Sequence, residues 1–289
     1  MSQLSDRTNV LLQRLRLRDD DRVSDLGRTK LLLHGEIRPR ATVLFHGLCA
    51  SPAQFVRFAH ALHREGHNVV VPRLPHHGHR DRLSPALAWL TADDLRAFAR
   101  ESVELAGGLG ERVLIAGFSL GGLLATWIAQ RYEIERAVAI APFFGMSWMP
   151  NRLLGRFTDF MLRLPNIFGW WNPVAREKQQ PAHGYPRYAT HAVANALLIA
   201  REVFARASEG IAAHELILVT NAREAAINNR AVRTLEELLR APDPARLKHV
   251  VLTGIPLSHD IIEPLRHPAV ADHVYPQLLD LLVQQLDGH

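Results

Sequence analysis

The chain's 289 residues, 47% hydrophobic and 22% charged, suit a single α/β domain carrying an insertion, with enough apolar side chains for a large core. The formal charge of +5 comes almost wholly from arginines scattered among acids, so nothing points to nucleic acid, and the excess leaves only a weak bias toward anionic substrates or membrane surfaces. No apolar run approaches the roughly 20 residues a membrane span needs, the N-terminus has no apolar h-region or cleavage site, and Cys49, the single cysteine, rules out an internal disulfide and a cysteine-built zinc site.

Residues 4–17 form an amphipathic segment expected to pack on its own domain. Residues 28–34 (RTKLLLH) read as an antiparallel edge strand. From there on, short apolar runs alternate with helical patterns. Strands are expected at 42–45, 68–71, 112–116, 137–140, 215–219 and 249–252, each nearly continuous in apolar residues, as for strands covered on both faces. Helices are expected at 53–64, where Phe55, Phe58, Ala59 and Leu62 recur at helical spacing, and at 92–105, behind a Thr91 N-cap with acids in its first turn. Further helices are expected at 120–131, 229–240 and 274–286. Such alternation builds βαβ units and a mostly parallel sheet. It breaks once, where about 70 residues separate two strands, far more than a crossover needs. Residues 143–171 within that gap hold 8 of the chain's 20 aromatic residues. The expectation is a cap at 145–210, inserted into a core of 1–144 and 211–289 and lying over the carboxyl ends of the strands, where ligands bind in such sheets. Phe143, Phe144, Trp148, Phe157 and Phe160 are the expected pocket residues. A helical subdomain burying its own apolar stripe is the plainer and compatible alternative.

The chemistry concentrates at Gly117-Phe118-Ser119-Leu120-Gly121-Gly122, between the apolar RVLIA and the helical LLATWIAQR. A serine between strand and helix needs a sharp, strained turn, so the residues two before and two after it must be small. The turn exposes the Ser119 hydroxyl at a helix N-terminus, where free N–H groups face developing negative charge. A plain glycine-rich turn is the alternative. The N–H of Leu120 is one candidate oxyanion donor, and topology offers a second in Leu48, in the turn His46-Gly47-Leu48 after the run TVLF. His46 itself is expected to brace that turn. A serine hydroxyl needs an imidazole to take its proton. Among 16 histidines, His259 in GIPLSHDIIEP follows the last apolar run and so fits the chain order serine, acid, histidine. The acid belongs after the run ELILVT, where Glu224 stands; it would hold the His259 tautomer and stabilise the imidazolium. The rival reading makes Glu224 a surface residue, while the adjacent Asp260 is expected to point elsewhere. His76, His77 and His79 lie close together, but in a Pro/Gly-rich loop with only Asp81 in register, so no metal is expected. His183, His191 and His214 read as surface or cap residues. For Cys49 nothing indicates a partner or a low pKa.

The stretches VLFHGLCASPAQF, VVVPRLPHHGH, IAGFSLGG, LVTNARE and LSHDIIEP span most of residues 40–285 in the order carried by the α/β-hydrolase superfamily. The chain resembles in particular small bacterial carboxylesterases and monoacylglycerol-lipase-like enzymes. The resemblance implies a mostly parallel, doubly wound α/β sheet, a Ser119–Glu224–His259 triad, a backbone oxyanion hole and a cap. Two features depart from the pattern. Aspartate is the more usual acid, and the turn usually written with two glycines around histidine reads His76-His77-Gly78-His79. The cap itself carries no usable resemblance. The implied reaction is carboxylic ester hydrolysis through an acyl-enzyme on Ser119, with the aromatic insertion suggesting an apolar acyl group and with no cofactor required. A thioesterase, acyltransferase or C–C hydrolase would use the same triad; the serine at the elbow disfavours dehalogenation. A non-catalytic module holding a small apolar ligand is the reading from a different class, supported only by glutamate in place of aspartate. The expected partner is a small-molecule ester, with no nucleic acid and no stable membrane insertion, in the cytoplasm.

Overall fold

The computed structural model describes residues 4–284 apart from 149, 180 and 225. Its strands are β1 (Lys30–Leu32), β2 (Arg38–Phe45), β3 (Asn68–Val71), β4 (Gly110–Phe118), β5 (Arg136–Ile140), β6 (Phe168–Trp170), β7 (Arg187–Ala189), β8 (Glu215–Asn221) and β9 (Leu247–Leu252). The helices are α1 (Asp6–Leu17), α2 (Val56–Arg64), α3 (Ala92–Gly107), α4 (Leu120–Ala129), α5 (Leu154–Arg163), α6 (Thr190–Ala205), α7 (Asn229–Arg240) and α8 (Pro268–Val283). Seven strands form one sheet in the order β1-β3-β2-β4-β5-β8-β9. Only β1 runs antiparallel, on the edge beside β3. This is the doubly wound α/β fold. Strand order reverses at β2, which has β3 on one side and β4 on the other, and ligands bind beyond the carboxyl ends of strands at such a switch point.

Period-two alternation divides the apolar residues of the strands between two cores. Val43, Phe45, Ile115, Ala137, Leu216 and Leu218 meet the layer that holds α3, α4, α6 and α7. Leu44, Ala116, Val138, Ile217 and Val219 meet α2 and α8 on the other face. Burial on both faces explains why the strands read as unbroken apolar runs. All ten residues of α4 are buried, so this helix shows no polar face. Helix α1 buries Leu11, Leu12 and Leu15 in the first core and ties to α3 through Arg7–Glu104 and Arg18–Glu101.

Several boundaries differ from expectation for local reasons. A 3-10 turn, Pro52–Phe55, opens the expected 53–64 helix. Helix α8 begins at Pro268, six residues before 274, because proline suits the first helical position; the expected end at 286 lies outside the described residues. The segment between β5 and β8 contains α5 and the antiparallel pair β6–β7, whose three-residue strands are too short for a sequence pattern. Helix α6 lies within the expected 145–210 cap and packs on the core helix α4. Its glutamate and backbone are bonded to the core: Trp127 Nε1 donates to Glu202 Oε2 (2.9 Å) and Gln130 Nε2 to the Val203 carbonyl (2.9 Å). Eight residues of α6, four of them alanine, are buried, and the small side chains let it sit close against α4.

Candidate active site

Ser119 joins β4 to α4 with φ 55° and ψ −110°, a left-handed backbone that a non-glycine residue rarely adopts. Neighbours hold it there. Its N–H donates to the Ile140 carbonyl (2.9 Å), and its carbonyl accepts from Leu123 (2.9 Å) and Phe143 (3.1 Å). The glycines on either side have steric causes. A Cβ on Gly117 would lie 2.2 Å from the Gly121 carbonyl, and one on Gly121 would lie 2.0 Å from the Phe45 carbonyl oxygen.

The structure brings Ser119, His259 and Glu224 together across 140 residues of sequence. His259 Nε2 lies 2.9 Å from Ser119 Oγ, and Nδ1 lies 3.2 Å from Glu224 Oε2. Glu224 is not a surface residue: its side chain is 1% exposed. Burial pushes its carboxyl up, but the His259 ring and the amides of Ala226 (2.8 Å) and Ile227 (3.4 Å) outweigh that and hold it below its ordinary value. An ionised Glu224 requires a proton on Nδ1 of His259, which leaves Nε2 as an acceptor facing the serine. Asn221, at the end of β8, joins the two loops that carry these groups. Its Nδ2 donates to the Ser258 carbonyl (2.9 Å) while its Oδ1 accepts from the Arg223 N–H (3.0 Å).

Leu120 is the first residue of α4, where amides have no partner within the helix. Leu48 lies in the turn after β2, and both leucines line the same cavity as Ser119. His46 does not reach the serine. Its Nε2 accepts from the Leu74 N–H (3.1 Å) and its Nδ1 donates to the Gly47 carbonyl (2.9 Å). Burial first, then His77 nearby, hold its pKa well down, so the ring stays neutral. The Cys49 thiol, buried, is pushed up to about 12, far from a thiolate. Asp260 turns from the His259 ring toward Gln54 (3.4 Å) and Arg266 (3.3 Å).

The cavity holds about 680 Å³. Of the expected pocket residues, Phe143, Trp148 and Phe157 line it, together with Met146, Met161, Trp170, Trp171 and Tyr188. Phe144 and Phe160 do not. Phe144 is turned into the core against Phe204, and Phe160 is 58% exposed on the outer side of α5. Phe143 and Phe144 are consecutive and face opposite ways, while Phe157 and Phe160 sit on different sides of α5, which composition could not resolve. Arg82 holds one wall: it donates to the carbonyls of Glu177 (3.0 Å), Gln179 (2.8 Å), Pro181 (3.3 Å) and Gly184 (2.8 Å). His183 is not a surface residue. It is buried between Glu263 (2.9 Å) and Ser51 (3.0 Å), a second Ser–His–Glu chain outside the cavity lining. His76, His77 and His79 turn toward different partners: Asp94, the Pro75 carbonyl and Ser84. Sequence reasoning missed Gln54, Asn221 and Arg82, because each acts through groups that only the fold brings near. Among the described residues, no helix is long and apolar enough to cross a membrane.

A family model described as "Alpha/beta hydrolase family" matches residues 42–283. No curated protein matches the sequence. Several solved structures share the fold. One, of the metagenome-derived lipolytic enzymes LipS and LipT, is 16% identical with a TM-score of 0.67, covering 90% of this chain and 96% of that one. The monoacylglycerol lipase of Paleococcus ferrophilus is 19% identical with a TM-score of 0.64, covering 84% and 93%. A soluble variant of monoglyceride lipase from Saccharomyces cerevisiae, in complex with a substrate analog, is 12% identical with a TM-score of 0.62, covering 84% and 87%.

Proposed function

The chain belongs to the alpha/beta hydrolase family, and from that premise we propose that it is a serine hydrolase cleaving carboxylic esters with an apolar acyl group. The observation that carries this reading is the Ser119–His259–Glu224 chain of hydrogen bonds opening into an aromatic-lined cavity. Ser119 Oγ attacks the ester carbonyl while His259 Nε2 takes its proton. The Leu48 and Leu120 N–H groups receive the negative charge on the carbonyl oxygen, each worth roughly 10²–10³ in rate. His259 then gives the proton to the leaving alcohol and afterwards activates water, which frees the acyl group from Ser119. Glu224 holds the ring and balances the imidazolium. Phe143, Trp148 and Phe157 line the acyl side, and the segment between β5 and α6 serves as the cap. The fold shared with the lipolytic enzymes and monoacylglycerol lipases supports this reading.

The test is labelling with a fluorophosphonate, then peptide mass mapping, then turnover of p-nitrophenyl esters of increasing acyl length. The expected result is an adduct on Ser119 that is lost in His259→Ala, with medium-chain esters preferred over acetate. An unlabelled Ser119 in folded protein would favour a binding module. Labelling with no ester turnover would move the reading to thioesters or acyl transfer on the same triad.

A further inference from the structure

Gly47 is the pivot of the turn that presents Leu48. Its carbonyl and the Leu48 N–H belong to one peptide group, so they point in opposite directions. His46 Nδ1 holds that carbonyl at 2.9 Å. A glycine turns freely about its own dihedral angles, so fixing one of its peptide groups leaves the other to drift. The second is fixed too. Gln54 Oε1 accepts the Gly47 N–H at 3.0 Å. Gln54 lies on the turn Pro52–Phe55, is 5% exposed, and lines the cavity that contains Ser119 and His259. Its Nε2 donates to Asp260 Oδ1 at 3.4 Å, and Asp260 is bonded in sequence to His259 and paired with Arg266 at 3.3 Å. Only one orientation of the amide satisfies both neighbours. Flipped, it would set N–H against the Gly47 N–H and oxygen against a carboxylate.

We propose that Gln54, oriented by Asp260, is a positioning residue that fixes the oxyanion turn relative to the loop bearing His259. This rests on Leu48 being an oxyanion donor, as read above. Gln54 acts through Gly47 and does not act on the reacting atoms. It sets the direction of the Leu48 N–H, which matters when charge develops on the carbonyl oxygen and matters little for ground-state binding.

Whole-chain protein is assayed on p-nitrophenyl butyrate, with kcat and KM measured separately and melting followed for each variant. In Gln54→Met, close in size but without hydrogen bonds, kcat is expected to fall about 10- to 100-fold, as for a small misplacement of a reacting group, while KM moves less than about threefold. Asp260→Leu is expected to lose kcat in the same way, and Asp260→Asn, whose amide oxygen still accepts from Gln54, to recover most of that loss. The double variant Gln54→Met/Asp260→Leu should be no slower than the worse single, since both break one bridge. An unchanged kcat in Gln54→Met, or a loss confined to KM, overturns the proposal and makes Gln54 plain pocket wall. Multiplicative losses in the double variant overturn the part given to Asp260. If the unaltered protein shows no Ser119-dependent turnover, the esterase reading fails and takes this inference with it. Turnover that Gln54 leaves untouched defeats the inference alone.

Discussion

Ser119, Glu224 and His259 each sit where local chemistry sets their condition. The serine is held in a left-handed conformation by three backbone bonds, at a cost of order 1–3 kcal/mol that the surrounding fold must offset. Glu224 is buried and yet stays ionised, because the His259 ring and two amides face it. In Glu224→Gln the amide still occupies the site, but it can neither balance an imidazolium nor enforce the tautomer. Turnover is expected to fall about 10²- to 10⁴-fold, with the protein still folded but melting lower than wild type near neutral pH. An unaltered rate would show that another group serves as the acid. The sign of the stability effect follows from the shift. A carboxyl whose folded pKa is depressed contributes stability that is full above its unfolded pKa and is lost as pH falls through the folded value. The melting difference between wild type and Glu224→Gln is therefore expected to shrink as the pH drops below the ordinary carboxylate range.

At the scale of elements, the elbow and the cavity wall depend on close approach and on anchoring. Strand β2 and helix α4 touch at Gly121, and β4 meets α4 at Gly117, with no room for a methyl at either. Gly117→Ala must displace the Gly121 peptide and is expected to abolish activity even where the protein still folds. Comparison with Gly107→Ala, where a Cβ meets nothing, separates this from a general alanine effect. In the wall formed by residues 177–179 and 181–184, Arg82 gathers four carbonyls onto one guanidinium. Arg82→Met leaves those carbonyls to water. Faster amide exchange and proteolysis confined to this stretch, with KM raised for long acyl esters, is the expected result; unchanged exchange there would show that the loop holds itself. Aromatic richness in 143–171 signalled a cavity without saying which rings face it, since that depends on backbone direction at each position. Gln54 and Asn221 carry little local signal, because each also bonds to a distant loop, Gln54 to Asp260 and Asn221 to Ser258.

At the scale of the whole molecule, imidazoles buried in neutral form are expected to contribute to acid sensitivity. Burial lowers His77 to about 3 and His67 to about 4, and lowers His46 well below its usual value. The unfolded chain takes up protons near pH 6.5 that these folded rings refuse, so stability is full above that pH and declines as pH falls toward the folded values. Each ring contributes a slope of up to about 1.4 kcal/mol per pH unit within that window. Melting is expected to fall steadily between pH 7 and 5, and His77→Leu, which removes a ring whose Nε2 has no partner among the described residues, to flatten the slope by about one proton. A slope unaffected by His77→Leu would mean that the ring protonates in place.

Much of the architecture was legible because it is local. Period and apolar content place β2 to β5, β8 and β9, since strands covered on both faces must be apolar throughout, and the steric needs of a strand-to-helix turn mark Ser119 through Gly117 and Gly121. Chain order singles out His259 and Glu224 among many candidates. The tertiary structure alone decided the rest. It turned Phe144 inward and Phe160 outward, built α6 into the helical layer, joined His183 to Glu263, and set Gln54 between Gly47 and Asp260. The physical reason is common to all four. A side chain's partner far along the chain, such as Asp260 for Gln54, Glu263 for His183 or Trp127 for Glu202, is fixed by how layers pack, and no spacing along the chain records it.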